Sequence, residues 1–217
     1  MKLLSVTLAR SLWIGRTEHF NPRGIYLYPI ITPLLVESYK FVRVPSAQDA
    51  LDDSKGIVFG NGAFINRDGV SLAITLTIFP DALVADTRSS TKDSDDFLQE
   101  ILTRFSEELK LPHYSEIIKR RAYVSGLHVK TDSSLQSLNP ALIEIAKYLT
   151  ENNESVHFEL GGIHFWPDQS SIIKPGNFII ERILNVPFSE NSYYSAAPLQ
   201  TDKHIELLDK LEQILSV

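Results

Sequence analysis

The chain has 217 residues, with 27 acidic against 21 basic side chains and a net charge of −6. Hydrophobic residues make up 43% and charged residues 22%, ordinary globular values that argue against disorder and give enough apolar surface for an unstapled core. The absence of cysteine excludes disulfides, thiolate catalysis and cysteine-ligated zinc or iron–sulfur sites, and the acidic balance disfavours non-specific binding to phosphate backbones.

Residues 2–14 are predicted to form a strand, because Leu4, Val6 and Leu8 alternate with Ser5 and Thr7. This segment lacks the clean apolar run and small-residue cleavage site of a signal peptide. No stretch reaches the ~18 uninterrupted apolar residues of a membrane helix, so no membrane association is expected and a cytoplasmic location is the default. Asn21-Pro22 and Gly24 mark a turn. Pro29 and Pro33 argue against a regular helix across 25–44, which leaves a short helix from Pro33 to Tyr39 and a strand from Phe41 to Val44.

The clearest patterning lies between 56 and 110. Ile57 to Ile65 is apolar and is interrupted by Gly60 and Gly62, the signature of a bulge or a close backbone approach. Asn66-Arg67-Asp68-Gly69 predicts a hairpin turn, followed by Leu72, Ile74, Leu76 and Ile78 alternating along a strand. Ala82 to Arg88 reads as a third strand. Phe97, Leu98, Ile101, Leu102, Phe105 and Leu109 then share one face of a helix over 94–110, capped by Thr91 or Ser94.

A strand is predicted from Ile117 to Val129. A second long helix starts at Asn139-Pro140, a favoured cap and first helical residue, with Leu142, Ile143, Ala146 and Leu149 as its apolar stripe. Strands return at Val156–Trp166 and Asn177–Phe188. The last helix covers about 202–216, capped by Thr201 or Asp202, with Ile205, Leu208, Leu211 and Leu215 inward. The expected fold is therefore α+β: one domain over 1–217, a mostly antiparallel sheet or sheets, and about three packed helices. Strand-strand-helix order with a glycine pair recurs in both halves, as a duplicated ββα unit would produce.

Several segments carry residues suited to chemistry. If Gly161-Gly162 closes a two-residue hairpin, Glu159 faces His164, and His157 lies on the same sheet face opposite Trp166. Two imidazoles and a carboxylate can bind a divalent metal or exchange protons. The plainer reading is the polar outer face of an amphipathic hairpin. Asp86 to Lys92 offers hydroxyls and cations before a helix, but it lacks the glycines of a phosphate cradle. Lys119, Arg120 and Arg121, with Tyr123, form the densest basic run. They offer a stacking platform for nucleic acid or, more plainly, a solvated edge strand. Glu181 and Arg182 are neighbours on an apolar strand, so one of them points inward.

The segment 187–199 reads as a long loop without periodicity, carrying Phe188, Tyr193 and Tyr194. Long loops often bear function, and tyrosines suit interfaces. These residues are therefore the candidate interaction site, and His157, Glu159 and His164 the candidate metal site. No motif specifies a cofactor or settles whether the protein is an enzyme. The expected function is non-enzymatic protein–protein interaction or assembly, with a protein partner or with itself as a homo-oligomer. The alternatives are a metal-assisted hydrolase and, against the charge balance, a nucleic-acid-binding module.

Overall fold

The computed structural model describes residues 1–16, 28–46, 56–153, 156–168, 170 and 175–216. The fold is α+β, with antiparallel strands. The chain divides into two compact units: an N-terminal unit of Leu8–Val124 and a C-terminal unit of Met1–Thr7 with Ser125–Val217. Two long strands, β1 (Lys2–Ile14) and β5 (Arg120–Lys130), run through both.

In the N-terminal unit α1 (Tyr28–Tyr39) precedes β2 (Ile57–Ile65), β3 (Ser71–Ile78), β4 (Ala82–Thr87) and α2 (Thr91–Leu109), and the strands pair in the order β2-β3-β4-β1. The core joins Trp13, Phe59, Phe64, Ile74 and Leu76 to Phe97, Leu98 and Ile101 of α2. The predicted hairpin turn forms. Asn66 Oδ1 accepts from the backbone N–H groups of Asp68 at 3.1 Å and Val70 at 2.9 Å, and Gly69 takes a φ of +77°. The expected bulge also forms, with the β2–β3 register shifting between Phe59 and Gly62. A Cβ on Gly62 would lie 2.5 Å from Phe41, so glycine there admits the Phe41 ring.

Four local expectations are corrected. Helix α1 begins at Tyr28 and contains Pro33, because Ile31, Leu35 and Tyr39 bury one continuous stripe and Pro33 sits on the exposed side. The strand expected at Phe41–Val44 reduces to one bridge, Arg43 to Gly60. The cap of α2 is Ser90, whose Oγ accepts from Asp93 N–H at 3.1 Å, while Ser94 turns inward. Strand β5 also starts later than expected, since α3 (Tyr114–Ile117) takes up its first residues.

In the C-terminal unit α4 (Pro140–Glu151) precedes β6 (Gly162–Phe165), β7 (Phe178–Arg182), β8 (Ser192–Ala197) and α5 (Thr201–Leu215), with strands in the order β5-β8-β7-β6. The predicted cap of α4 forms, Asn139 Oδ1 accepting from Ala141 N–H at 3.0 Å. Leu127, Val129, Ile180, Tyr193, Leu208 and Leu215 make the core.

The Gly161-Gly162 hairpin does not form. Residues 156–160 are irregular, and Gly162 instead opens β6, which pairs with β7. A Cβ on Gly162 would lie 2.7 Å from the Ile180 carbonyl oxygen, so this glycine serves close strand approach rather than a turn. The strand expected over Asn177–Phe188 ends at Arg182. The expected loop over 187–199 contains β8, paired on both sides. Its Ser-Tyr-Tyr-Ser-Ala-Ala sequence shows no apolar alternation because Ser192 and Ser195 are themselves buried.

The recurrence is larger than a ββα unit. The order β1-α1-β2-β3-β4-α2 is repeated as β5-α4-β6-β7-β8-α5, with matching strand order. The register matches too: Ala9 pairs with Thr87 and Ser125 with Ala197, and in each case the following helix starts four residues later, at Thr91 and at Thr201.

Candidate functional site

Helix α4 lies on the surface of the C-terminal unit. No residue of α4 is buried. Its inner stripe, Leu142, Ala146 and Thr150, is half-buried, whereas Ile145 is 57% and Tyr148 67% exposed. Thr150 Oγ1 accepts from the Phe158 backbone N–H at 3.0 Å, which ties the irregular segment to the helix. Between them lies an open groove of about 300 Å³ lined by Ile143, Ala146, Lys147, His157 and Phe158. The rings of His157 and Phe188 are 5.9 Å apart, so the structure brings a residue of the candidate metal set beside one of the candidate interaction set.

The other expected partners separate. Tyr193 is fully buried, and its hydroxyl accepts from the Leu135 N–H at 3.3 Å. Tyr194 is half-buried and packs edge-on to His128 with ring centroids 5.9 Å apart. His157 Nε2 lies 3.3 Å from Glu159 Oε1, but His164 faces Glu181 at 3.8 Å instead. Glu159 is held by the guanidinium of Arg182, which also donates to Ser134 Oγ at 3.1 Å, Leu160 O at 3.3 Å and Phe188 O at 3.0 Å. Among the described residues no three metal-ligating side chains converge. The expected split of Glu181 and Arg182 does occur, with Arg182 pointing inward, although its carboxylate partner is Glu159.

The basic run is also used internally. The Arg121 guanidinium stacks 3.9 Å from the Trp13 ring, and Tyr123 donates to Asp95 at 3.0 Å. Lys119 Nζ donates to the Glu116 carbonyl at 3.0 Å. At the start of α2 the chain's own carboxylate fills the place of an anion: Ser89 and Ser90 donate to Asp93 at 2.6 and 2.7 Å. Asp93 is held below the usual carboxylate range. Its burial acts in the opposite direction and is outweighed by bonds from Ser89, Ser90 and Asn66 and by the charge of Lys92.

Sequence reasoning missed α4 as the exposed element. Its apolar stripe predicts burial, and the signal for exposure is that Ile145 and Tyr148 lie off that stripe. Among the described residues no helix is long and apolar enough to cross a membrane. No protein-family model matches the chain, and a search of curated proteins returns no match.

Proposed function

We propose that the protein works by self-association, two copies meeting through α4 and the groove beside it. The observation that carries this reading is a twelve-residue helix with no buried residue, whose apolar Ile143 and Tyr148 are 42% and 67% exposed. Large exposed apolar side chains rimmed by charge are the composition of binding surfaces.

The charges on α4 favour a second copy as the occupant. A two-fold axis crossing α4 between Ile145 and Ala146 packs the helices antiparallel. Glu144 then meets the second copy's Lys147, and Ile143 meets the second copy's Tyr148, each twice. Both charged side chains are exposed, and among the described residues the ion pair they enter is the 4.0 Å contact of Lys147 with Glu151. Complementary charges of this kind set register and partner choice more than raw affinity.

Sedimentation equilibrium tests the reading. The wild type is expected to dimerise with rising concentration. Lys147→Glu is expected to weaken the dimer about tenfold through like-charge contact. Adding Glu144→Lys restores opposite signs and should restore the dimer. A wild type that stays monomeric at every concentration reached, or a double variant no better than Lys147→Glu, would reject it.

A further inference from the structure

The two units use the same position of their last helix differently. In the N-terminal unit the fourth residue of α2 is Ser94, whose Oγ donates to the Ala9 carbonyl of β1 at 2.8 Å. In the C-terminal unit the fourth residue of α5 is His204, and the strand residue matching Ala9 in register is Ser125. A hydroxyl that never titrates near neutrality is thus replaced by an imidazole that does.

The surroundings of His204 favour the neutral ring. The side chain is fully buried. Ser195 Oγ donates its single hydrogen to the Ile179 carbonyl at 2.8 Å. The 2.9 Å contact between Ser195 Oγ and His204 Nε2 therefore requires the proton to sit on Nε2. Nδ1 is left as the bare nitrogen. The Ser125 backbone lies near enough to favour the charged ring slightly, but among the described residues no bond of hydrogen-bond geometry reaches Nδ1. A second proton would thus place a cation in the core with the Ser125 backbone beside it, near the N-terminal end of a helix, where the dipole also disfavours positive charge.

Among the described residues no carboxylate pairs with the ring. From β8 the ring meets Ser195, from β5 Ser125, and from β7 the Phe178 ring with centroids 6.2 Å apart. The charged groups of β7, Glu181 and Arg182, are engaged with His164 and Glu159. On α5 itself Lys203 pairs with Glu206, and Asp209 with the N-terminal ammonium.

We propose that His204 is an acid-sensitive latch: its protonation releases α5 from the sheet of the C-terminal unit and uncovers the Leu208 and Leu215 face, while α2, built on Ser94, stays docked. Burial pushes the His204 ring down to about 4 against the slight opposing pull of the Ser125 backbone, which puts the transition in mildly acidic solution.

Amide hydrogen exchange on the full chain tests this, with rates expressed as protection factors so that the intrinsic pH dependence of exchange cancels. Between pH 7 and pH 4.5 the amides of residues 201–215 are expected to lose roughly 50-fold in protection, the ratio set by the difference in proton affinity between docked and released rings. Amides of α2 should change far less. His204→Gln, which keeps a donor for Ser195 and does not titrate, should remove the loss. Equal acid sensitivity in wild type and variant, or uniform loss across α5 and α2, would overturn the latch. If the variant does not fold, imidazole NMR of the wild type decides instead. Loss of α5 protection in step with His204 protonation supports the latch. Protonation near the ordinary histidine range with α5 still protected rejects it.

Discussion

Arg182 on β7 closes onto Glu159 in an ion pair whose side chains are only 9% and 14% exposed. The guanidinium also stacks on the rings of Phe188 and Tyr193, with centroids 4.7 and 5.1 Å away. One side chain thereby fastens β7 to the irregular segment at 159–160, to Ser134 and to the turn at Phe188. Removing one partner of a buried pair strands the other charge, which costs roughly 3–5 kcal/mol. Arg182→Met is expected to lower stability by about 3 kcal/mol in urea unfolding. Pairing Arg182→Met with Glu159→Leu should cost less than the sum of the two single changes, because no charge is then left alone. Strict additivity would show that the pair is not coupled.

Two glycines separate steric from conformational cost. A Cβ on Gly15 would lie 2.5 Å from the Ile117 carbonyl oxygen, which is backbone and cannot swing aside. Gly15→Ala is expected to cost about 2–3 kcal/mol through forced backbone movement. Gly69 has open space around it but a φ of +77°. Gly69→Ala should cost about 1 kcal/mol from the left-handed conformation alone. Thermal denaturation of both variants checks the order, and a larger loss at Gly69 would contradict this packing.

Asp95 is the hub of the N-terminal unit's polar cluster. It accepts from Ser11 Oγ, from Trp13 Nε1 at 2.7 Å and from Tyr123 OH at 3.0 Å, with the Arg121 guanidinium 4.0 Å away. Asp95→Ala takes the acceptor from Ser11 and Trp13 and one bond from Tyr123, an expected loss of about 3 kcal/mol. Asp95→Asn retains an acceptor for Trp13 and should lose less. In a Trp166→Phe background the Trp13 emission reports the change alone. It should shift to the red in Asp95→Ala, and an unchanged spectrum with unchanged stability would remove Asp95 from this role.

These networks explain where the sequence could be read and where it could not. Elements with clean apolar periodicity, such as β3 and the inner face of α2, emerge where expected because burial follows the pattern directly. Strand β8 escaped notice because its inward face carries Ser195 between Tyr193 and Ala197. Ser195 is affordable there only through the Ile179 carbonyl and His204, partners far away in sequence. Glu159 looked like a ligand because its histidine neighbours are local, whereas the residue that claims it, Arg182, lies 23 positions away. Hydroxyls and charges inside a sheet are decided by such distant pairings, which no local spacing encodes.

Acid should weaken the two units in sequence. His204 has its folded-state pKa lowered to about 4 from the usual 6.5. Between those values the unfolded chain binds a proton that the folded chain refuses. Stability from this group is therefore complete above about pH 6.5 and is lost as pH falls toward 4, by up to about 3 kcal/mol at 1.36 kcal/mol per pKa unit. Asp93 is also lowered, but from a carboxylate value, so its contribution at the start of α2 persists above pH 4 and is lost only as pH falls through its depressed folded value. Thermal unfolding followed at pH 7, 5.5 and 4.5 should thus show a falling midpoint that His204→Gln flattens and Asp93→Asn does not. Asp93→Asn should instead lower the midpoint by a similar amount at all three values, since its carboxylate is ionised throughout. A wild-type midpoint constant from pH 7 to 4.5 would mean that the folded protein carries His204 protonated, against the hydroxyl geometry at Ser195.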